Sequence, residues 1–532
     1  MKLTYGGMLD AVAPLRADQL ALSTDDGDFT WAEFDQRTNA LARGFAEMGV
    51  KPGDKICFLL PNSTAFVDLL GACFKGRFVH VNANFRYQSH ELEYILDNSD
   101  SVALVFDPRF AQQVTGMSSG VKERLLLIEG SSSTDPVLAQ TTTAKLIASH
   151  DGAPLNIERS SDDLVFIYTG GTTGMPKGVM WQQKEQIKGL LAGRLSDGVL
   201  PQTVEDFVAR LDEPKPFERV LVASPLMHAA GMYAAINALF HGGHVVITDN
   251  ADRFNAAKHW ELIDKYQVDA LGLIGDAFAK PLLDAFEAGT FDGSSLRLMA
   301  SSGALWSREV KLGLLKHLPQ LTLYDSLGSS EAQSFGVSMM TADSESTTSE
   351  FKIGDDCRVV REDGKSVEPG SGEVGMLVRD GAKPLGYYKD KAKTAALFQD
   401  VEGRRFIKTG DMCTVDADGT VQLLGRGSQC INTGGEKVFP GEVEAVIVQH
   451  PKLYDALVFG VSDPKWGQAV QAVARVNPNA RADADEIRQY LRQFIAGYKI
   501  PKRIVITTED LRLANGKPAY DKAKALFAEA FS

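Results

Sequence analysis

The stretch YTGGTTGMPKGV, from Tyr168 to Val179, constrains this chain more than any other. Gly170, Gly171, Gly174 and Gly178 strip side chains from the backbone, Thr169, Thr172 and Thr173 add hydroxyls, and Lys177 adds a charge. Backbone N–H groups left bare in this way can close around an anion, so the loop is built to hold phosphate. The apolar run Leu164 to Tyr168 before it reads as a buried strand, which sets the glycines at a strand end. A Walker A loop closes on Gly-Lys-Ser/Thr, whereas here Pro176 precedes Lys177 and Gly178 follows it. A plain turn between strands would need four glycines, three threonines and a lysine to coincide within ten residues without a ligand. A triphosphate site of another kind is expected.

With 532 residues the chain exceeds what one core supports, and two or more domains are expected. From Phe29 to Asn82, helix patterns (Phe34, Leu41, Phe45, Met48; then Thr64 to Lys75) alternate with strands (Lys55 to Leu60; Phe78 to Asn82), which predicts α/β architecture with parallel strands. Leu92, Ile95 and Leu96 share one face of a further helix, downstream of VNANFRY. Glu129 to Pro154 lacks a sustained period and reads as a surface connection. Gly193 to Pro216 looks like an insertion in which Val204, Phe207, Val208 and Leu211 keep helical spacing. That helix either packs on the surface, lids a substrate tunnel or meets a second subunit, so a homodimer stays open. Glu362 to Gly375 predicts β-hairpins, and Phe406 to Arg426 two strands and a turn. Glycines 425, 427, 434 and 435 punctuate a joint, after which Pro440 opens a helix with Val443, Val446 and Ile447 inward. The last hundred residues read as a small α/β unit, with a helix through Ile487, Leu491, Phe494 and Ile495. The expected domains are 1–427 and 428–532.

A net charge of −13 argues against a nucleic-acid partner, since a phosphate backbone would be repelled. The five cysteines (57, 73, 357, 413 and 430) are scattered and lack C-x-x-C spacing, so neither a disulfide framework nor a zinc site is indicated, and a reducing compartment fits. MKLTYGGMLD lacks the apolar core of a signal peptide. The most apolar window, Leu226 to Phe240, has 15 residues, short of the roughly 20 that span a bilayer. A cytoplasmic protein without a transmembrane segment is expected. His241 and His244 flank Gly-Gly beside Asp249; a turn feeding the strand Val245 to Thr248 explains them better than a metal pair without a rigid frame.

The glycine loop resembles the signature loop of the adenylate-forming superfamily, which comprises acyl-CoA synthetases, luciferases and peptide-synthetase adenylation domains and usually has Ser-Gly in place of Gly170-Gly171. The resemblance extends from about Phe29 to Ala525. SPLMHAAG resembles the segment whose His lines the acyl pocket near the carboxylate, which implies that role for His228; unaided, a lone His reads as a satisfied core residue. LMASSGALWS, 298–307, resembles the segment that lies against adenine, with Ser302, Gly303 and Ala304 small enough for a purine to rest on backbone and with Leu305 in place of the usual Pro. YDSLGSSEA, 324–332, resembles the Tyr-Gly-x-Thr-Glu segment. That match implies nucleotide contacts from Ser326, Leu327, Gly328, Ser329 and Ser330, a hydroxyl near the α-phosphate from Ser330, and Mg²⁺ ligation by Glu331 with Thr172. Leu327 replaces an aromatic residue that usually stacks on adenine, and a Leu covers a purine face without π-stacking. KTGD, with DG and GR downstream, resembles the ribose site and implies Asp411 and Arg426 as its contacts, although an Asp there could also cap a turn. Ser428 and Gln429 depart from the usual hinge residues. LRLANGKPAY, 511–520, presents Lys517 on an Asn515-Gly516 turn, where the family carries its adenylation lysine.

The fold so implied is a large N-terminal α/β domain with parallel sheets and a β-barrel-like part, followed by a small, mobile α/β C-terminal domain. The activity implied is attack of a carboxylate on the α-phosphate of ATP, expelling pyrophosphate, then displacement of AMP by the thiol of coenzyme A. In that scheme the glycine loop and Lys177 hold the β- and γ-phosphates and Lys517 neutralises charge at the α-phosphate. The C-terminal domain then rotates and brings Gly434, Gly435 and Lys437 towards CoA. VNANFRY, GSSE and the joint region look most like acyl-CoA ligases acting on fatty acids and steroid side chains, in lipid metabolism. Two other readings are an enzyme that loads the acyl group onto a carrier protein, and a nucleotide-binding pseudoenzyme. Free CoA in an assay, and pyrophosphate release, separate them.

Overall fold

The computed structural model describes residues 2–531 except 119, 121–122, 130–139, 170–174, 192–197, 213–216, 250, 252–253, 305, 345–349, 402, 434–435, 465, 479 and 514–515, and the side chain of Ser428. The alternation near the N-terminus gives a parallel sheet in the order Val79–Asn82, Lys55–Leu59, Ser101–Phe106, Leu125–Ile128, Thr141–Thr142. Parallel strands covered on both faces read as continuous apolar runs, and every residue of the helix Thr64–Gly76 against this sheet is buried. The helix Trp31–Glu47 opens on a capping box in which Thr30 and Glu33 satisfy each other's backbone donors.

The second sheet is the frame of the molecule. Six strands run parallel, in the order Leu20–Thr24, His244–Val246, Arg219–Val222, Ala270–Leu273, Leu298–Ser302 and Thr322–Ser329. At Thr322–Ser329 the sheet switches to antiparallel and continues through Gln333–Met340, Glu350–Ile353, Val421–Arg426, Arg404–Val415, Gly375–Arg379 and Cys357–Val360. This half curls around its own cluster of Ala332, Phe335, Leu377, Ile407 and Val421. In open α/β sheets ligands gather at the carboxyl ends of such strands. Leu164–Thr169 and Lys177–Gln182 form an antiparallel pair in a separate small sheet, with Tyr168 opposite Gly178 and Thr169 opposite Lys177. The glycine loop thus joins two hairpin strands.

The C-terminal unit has its own sheet: Glu436–Val438, Ile431–Thr433, Gly467–Val476 and Leu453–Asp463, with Arg503–Thr507 parallel to Gly467–Val476. Its two core clusters draw on residues from Ile431 onward and share none with the clusters before it. Among the described residues no helix is long and apolar enough to cross a membrane.

Several local expectations are corrected. The presumed connection 129–154 contains the helix Thr143–Ser149, which buries Leu146. The strand Ala270–Leu273 is followed after Ile274 by Gly275, which opens the helix Gly275–Ala288. Residues 362–375 join a single hairpin, Cys357–Val360 with Gly375–Arg379. The helix expected through Ile495 stops at Leu491, leaving Phe494 exposed. Within 193–216 the described part holds the helix Val204–Ala209 with Phe207 and Leu211 buried; residues 193–197 and 213–216 lie outside the described residues. His244 donates to or accepts from Ser23 Oγ at 2.8 Å, Asp249 pairs with Arg109, and the metal reading of that turn gains nothing.

Candidate active site

Glu331 occupies the tight turn between Thr322–Ser329 and Gln333–Met340, closed by the left-handed φ of Gln333 at 56°. The turn is held from two sides. Trp181 donates its indole N–H to the Ser330 carbonyl at 2.9 Å, and Arg379 donates to the carbonyls of Ala332 and Ser334 while pairing with Asp356. Trp181 lies on the strand Lys177–Gln182, so that strand and the turn of Glu331 are held together. Tyr387, on the strand Gly386–Tyr387 beside Val179, donates to Glu331 Oε1 at 2.8 Å. Burial and the adjacent carboxylate hold this phenol protonated well above its usual range. The Lys177 ammonium lies 5.2 Å from the centre of the Tyr387 ring. Lys177, Tyr387 and Glu331 therefore form one chain of contacts.

The ribose candidates meet across an antiparallel pair, Asp411 opposite Arg426. Arg426 Nε lies 2.9 Å from Asp411 Oδ1 and its Nη1 donates to the Thr409 carbonyl at 2.7 Å. Gly410 takes φ +81°, and a side chain there would press on the Arg426 guanidinium. Asp411 is 5% exposed, and its Oδ2 is buried with no hydrogen-bond partner among the described residues. Burial raises the Asp411 pKa, Arg426 opposes the shift and Glu331 adds to it. A buried carboxylate oxygen without a donor is expensive, and a hydroxyl brought to it would relieve that cost.

The C-terminal unit delivers Lys517. Gly516, at φ +79°, is pressed against Ile274 at the start of the helix Gly275–Ala288, and the Leu513 amide donates to the Lys517 carbonyl at 2.8 Å. The Lys517 side chain stays reachable by solvent but is enclosed by the cleft, which lowers its pKa; Glu331 works against that shift and Arg426 with it. His228 stands at the N-cap position of the helix Ala229–Phe240 without a side-chain capping bond, and its Nε2 is buried with no partner among the described residues. Burial, then Lys517, then Arg86, lower the His228 pKa to about 3, so its ring is neutral at neutral pH.

Ser302 ends its strand beside Ser326 of the neighbouring one, and Gly303 follows at φ +88° with open space where a side chain would go, so these residues and Ala304 border the same strand ends. Leu327 leans on the Ala332 and Phe335 cluster. Thr169 is placed opposite Lys177. Gly170, Gly171, Thr172, Thr173 and Gly174, together with Leu305, Gly434, Gly435 and Asn515, lie outside the described residues. Lys437 is exposed on the strand Glu436–Val438 near Cys430, and no described contact links it to the Glu331 cluster. Sequence reasoning missed Tyr387, Trp181 and Arg86. Trp181 stands two residues beyond the stretch YTGGTTGMPKGV and Arg86 in VNANFRY, but neither position reveals a partner before folding. Among the described residues no three His, Cys, Asp or Glu side chains converge as a metal cage. A lone Glu331 suits Mg²⁺, which typically binds through one or two carboxylates, nucleotide phosphates and water.

A body ending in a cluster of acid, cations and an unsatisfied carboxylate, completed by a lysine from a second unit, defines a nucleotide-dependent enzyme of the adenylate-forming class. The family model described as AMP-binding enzyme matches residues 9–388, and its partner, AMP-binding enzyme C-terminal domain, matches 442–517; the chain belongs to this family. It is 37% identical to a 3-oxocholest-4-en-26-oate–CoA ligase of Rhodococcus rhodochrous, over 98% of this chain and 96% of the relative. It is 38% identical to a medium/long-chain-fatty-acid–CoA/3-oxocholest-4-en-26-oate–CoA ligase of Mycobacterium tuberculosis (strain ATCC 25618 / H37Rv), over 95% and 93%. The anthranilate CoA ligase AuaEII, solved in complex with anthranoyl-AMP, shares the fold at TM-score 0.86 and 22% identity, over 100% of this chain and 99% of that one.

Proposed function

We propose that this AMP-forming acyl-CoA ligase takes a large apolar carboxylic acid, of fatty, alicyclic or steroid-side-chain type, in a cytoplasmic setting, with a domain boundary at 427/428. The observation that carries the mechanism is the packing of Gly516 against Ile274, which brings Lys517 to where its charge acts on Glu331, Arg426 and His228. The full-length relatives named for fatty and steroid acids support the substrate class. So does the helix Ala229–Phe240, which bears no charged side chain. Five free cysteines fit a reducing compartment.

A carboxylate cannot acylate a thiol at neutral pH because oxide would have to leave. One carboxylate oxygen therefore attacks the α-phosphorus of ATP; the bond to the bridging oxygen breaks, pyrophosphate leaves, and the acid becomes a mixed anhydride with AMP. The protein supplies position and charge compensation for this displacement. Asp411 Oδ2 accepts from the ribose, Arg426 supports it, and Ser302 to Ala304 with Ser326 to Ser330 border the base and α-phosphate. Lys177, continuing the glycine loop, faces the outer phosphates. Lys517 neutralises charge where carboxylate and α-phosphate meet, and neutral His228 lines the acyl side. Glu331, with Thr172, would hold Mg²⁺, which when bound neutralises phosphate charge. In the second step the CoA sulfur attacks the acyl carbon, AMP leaves as its phosphate, and the thiol proton passes to solvent or to AMP. Gly434, Gly435 and Lys437 are proposed to meet CoA after the C-terminal unit turns.

A panel of carboxylates from acetate to steroid acids, scored by AMP release with ATP and free CoA, tests this reading. Medium or larger apolar acids should lead. A dicarboxylate or an amino acid at the head of the panel would refute the substrate class; AMP release only with a carrier protein would move the acceptor; no pyrophosphate with any acid would remove the activity.

A further inference from the structure

We propose that Tyr520 and Arg512 are positioning residues for Lys517: together they clamp the two limbs of the segment that carries it, so that its ammonium starts from a fixed place beside the nucleotide site. This rests on the role proposed above for Lys517 and assigns the residues that set it. Lys517 stands on one of two short antiparallel limbs. Arg512 and Pro518 face each other as a bridge, the Ala519 amide donates to the Leu511 carbonyl at 2.9 Å, and the Leu513 amide donates to the Lys517 carbonyl at 2.8 Å. Two short strands alone are marginal in water, so the pair is only as rigid as what it is fastened to. Each limb is fastened to a buried carboxylate. Arg512 donates from Nε to Asp455 Oδ2 at 2.7 Å and from Nη2 to Asp455 Oδ1 at 2.5 Å, a bidentate fork with both side chains largely buried. On the other limb the Tyr520 hydroxyl donates to Glu444 Oε1 at 2.9 Å.

The two carboxylates belong to elements that tie the small unit to the large one. Asp455 lies on the strand Leu453–Asp463 and Glu444 on the helix Pro440–Ile447, and both are buried. Glu444 Oε1 also accepts from the Val458 amide at 2.8 Å, so helix, strand and lysine limb meet on one oxygen. The helix in turn rests on the strand Val421–Arg426 of the nucleotide site, where a side chain on Gly441 would come within 3.2 Å of the Leu424 carbonyl oxygen. A path of close contacts thus runs from the Arg426 strand through Gly441, Glu444 and Tyr520 to Lys517. Apolar packing for this region already comes from Leu511 against Leu457, Phe459 and Val473. A buried ion pair contributes little net stability beside apolar groups of the same volume, so what the polar contacts add is direction. Lysine carries its charge on a flexible four-carbon stem, and the protein can fix only where that stem begins. A transition-state contact depends on that placement, since a shift of about 1 Å can cost on the order of a hundredfold in rate.

Pyrophosphate release before CoA is added, and acyl-CoA release from synthetic acyl-adenylate plus CoA, are to be measured for wild type, Tyr520→Phe, Arg512→Lys, Lys517→Ala and the double variant Tyr520→Phe/Lys517→Ala with one preferred apolar acid. Tyr520→Phe removes a single hydroxyl and leaves Glu444 its Val458 donor, so the fold should survive. Its adenylation rate at saturation should fall about tenfold, with KM for ATP and for the acid within about twofold of wild type, because the lysine it positions acts in the transition state. Arg512→Lys keeps the charge but loses the fork, and should slow adenylation to a similar extent. Both variants should release acyl-CoA from the adenylate at near the wild-type rate. In the Lys517→Ala background Tyr520→Phe should cost nothing further, since the group it positions is gone. A wild-type adenylation rate in Tyr520→Phe, the same factor lost again in the Lys517→Ala background, or an equal fall in both half-reactions would overturn the assignment. If Tyr520→Phe fails to fold, Arg512→Lys with and without Lys517→Ala decides by the same comparison. Unimpaired adenylation in Lys517→Ala would instead remove the parent reading of that lysine.

Discussion

At the scale of single residues, buried polar atoms without partners divide into those that await a ligand and those that only tolerate burial. Asp411 Oδ2 is proposed for the first group, because it sits beside Arg426, where the charge of Glu331 is also felt. On the proposed ribose assignment each charge-assisted hydrogen bond contributes about 1.5–3 kcal/mol. Asp411→Ala should thus raise KM for ATP at least about tenfold while the melting temperature stays near wild type; an unchanged KM would withdraw Asp411 from the nucleotide site. His80 belongs to the second group. It is fully buried between Phe58 and Phe74, neither ring nitrogen has a partner, and burial lowers its pKa from 6.5 to about 3. Below pH 6.5 the unfolded chain takes up a proton that the folded chain refuses, so this residue's contribution is intact above 6.5 and is lost as pH falls towards 3. His80→Phe removes that linkage. The melting temperature of the variant relative to wild type should rise steadily from pH 7 to pH 5, and a pH-independent difference would show that His80 has a hidden partner.

At the scale of elements, what the sequence disclosed and what it concealed have physical causes. Parallel strands and their helices were legible because fully buried strands read as unbroken apolar runs, as in Ile56 to Leu59. The turns of Asp411, Glu331 and Lys517 stand in motifs whose proposed roles only the resemblance assigns. Short pieces were not legible, since Thr143–Ser149 is too brief to establish a period. The Tyr387 to Glu331 contact joins residues 56 apart and no local pattern announces it. The same holds for the fit of the helix Gln183–Leu191 against the turn carrying Glu331. There a side chain on Gly189 would fall 1.6 Å from Gln333 Oε1, while Gln333 Nε2 donates to the Gln186 carbonyl at 3.2 Å. Gly189→Ala therefore overfills a buried polar contact, with an expected loss of about 1–3 kcal/mol. Combining it with Gln333→Ala should restore part of the loss in a double-mutant cycle. Strict additivity of the two melting shifts would mean that the helix yields elsewhere.

At the scale of the whole molecule the question is what holds the small unit where Lys517 meets the site. The helix Gly275–Ala288 makes the junction: Lys280 lies 3.6 Å from the centre of the Tyr454 ring, which Arg475 also covers at 4.4 Å, and Lys280 Nζ donates to Asn477 Oδ1 at 3.1 Å. Gly516 presses on Ile274 of the same segment. This arrangement is proposed to serve the first half-reaction, in which negative charge gathers at the α-phosphate, and the second step to follow rotation away from it. Lys517→Ala should then slow adenylate formation by a factor on the order of 10² to 10³, the size of one lost transition-state contact. Supplied with synthetic acyl-adenylate and CoA, the same variant should release acyl-CoA at near the wild-type rate. Lys280→Ala removes only the junction and leaves every reacting group in place, so it should slow adenylation by a smaller factor, about three- to tenfold, the range of a single cation–π contact with a hydrogen bond. Because it destabilises the arrangement that must be left before thioester formation, it should leave that step unchanged or faster. Stopped-flow measurement of each half-reaction, with a melting curve for each variant, separates these outcomes. If Lys517→Ala in a folded protein slowed both half-reactions equally, its lysine would be structural and the proposed rotation would lose its chief support.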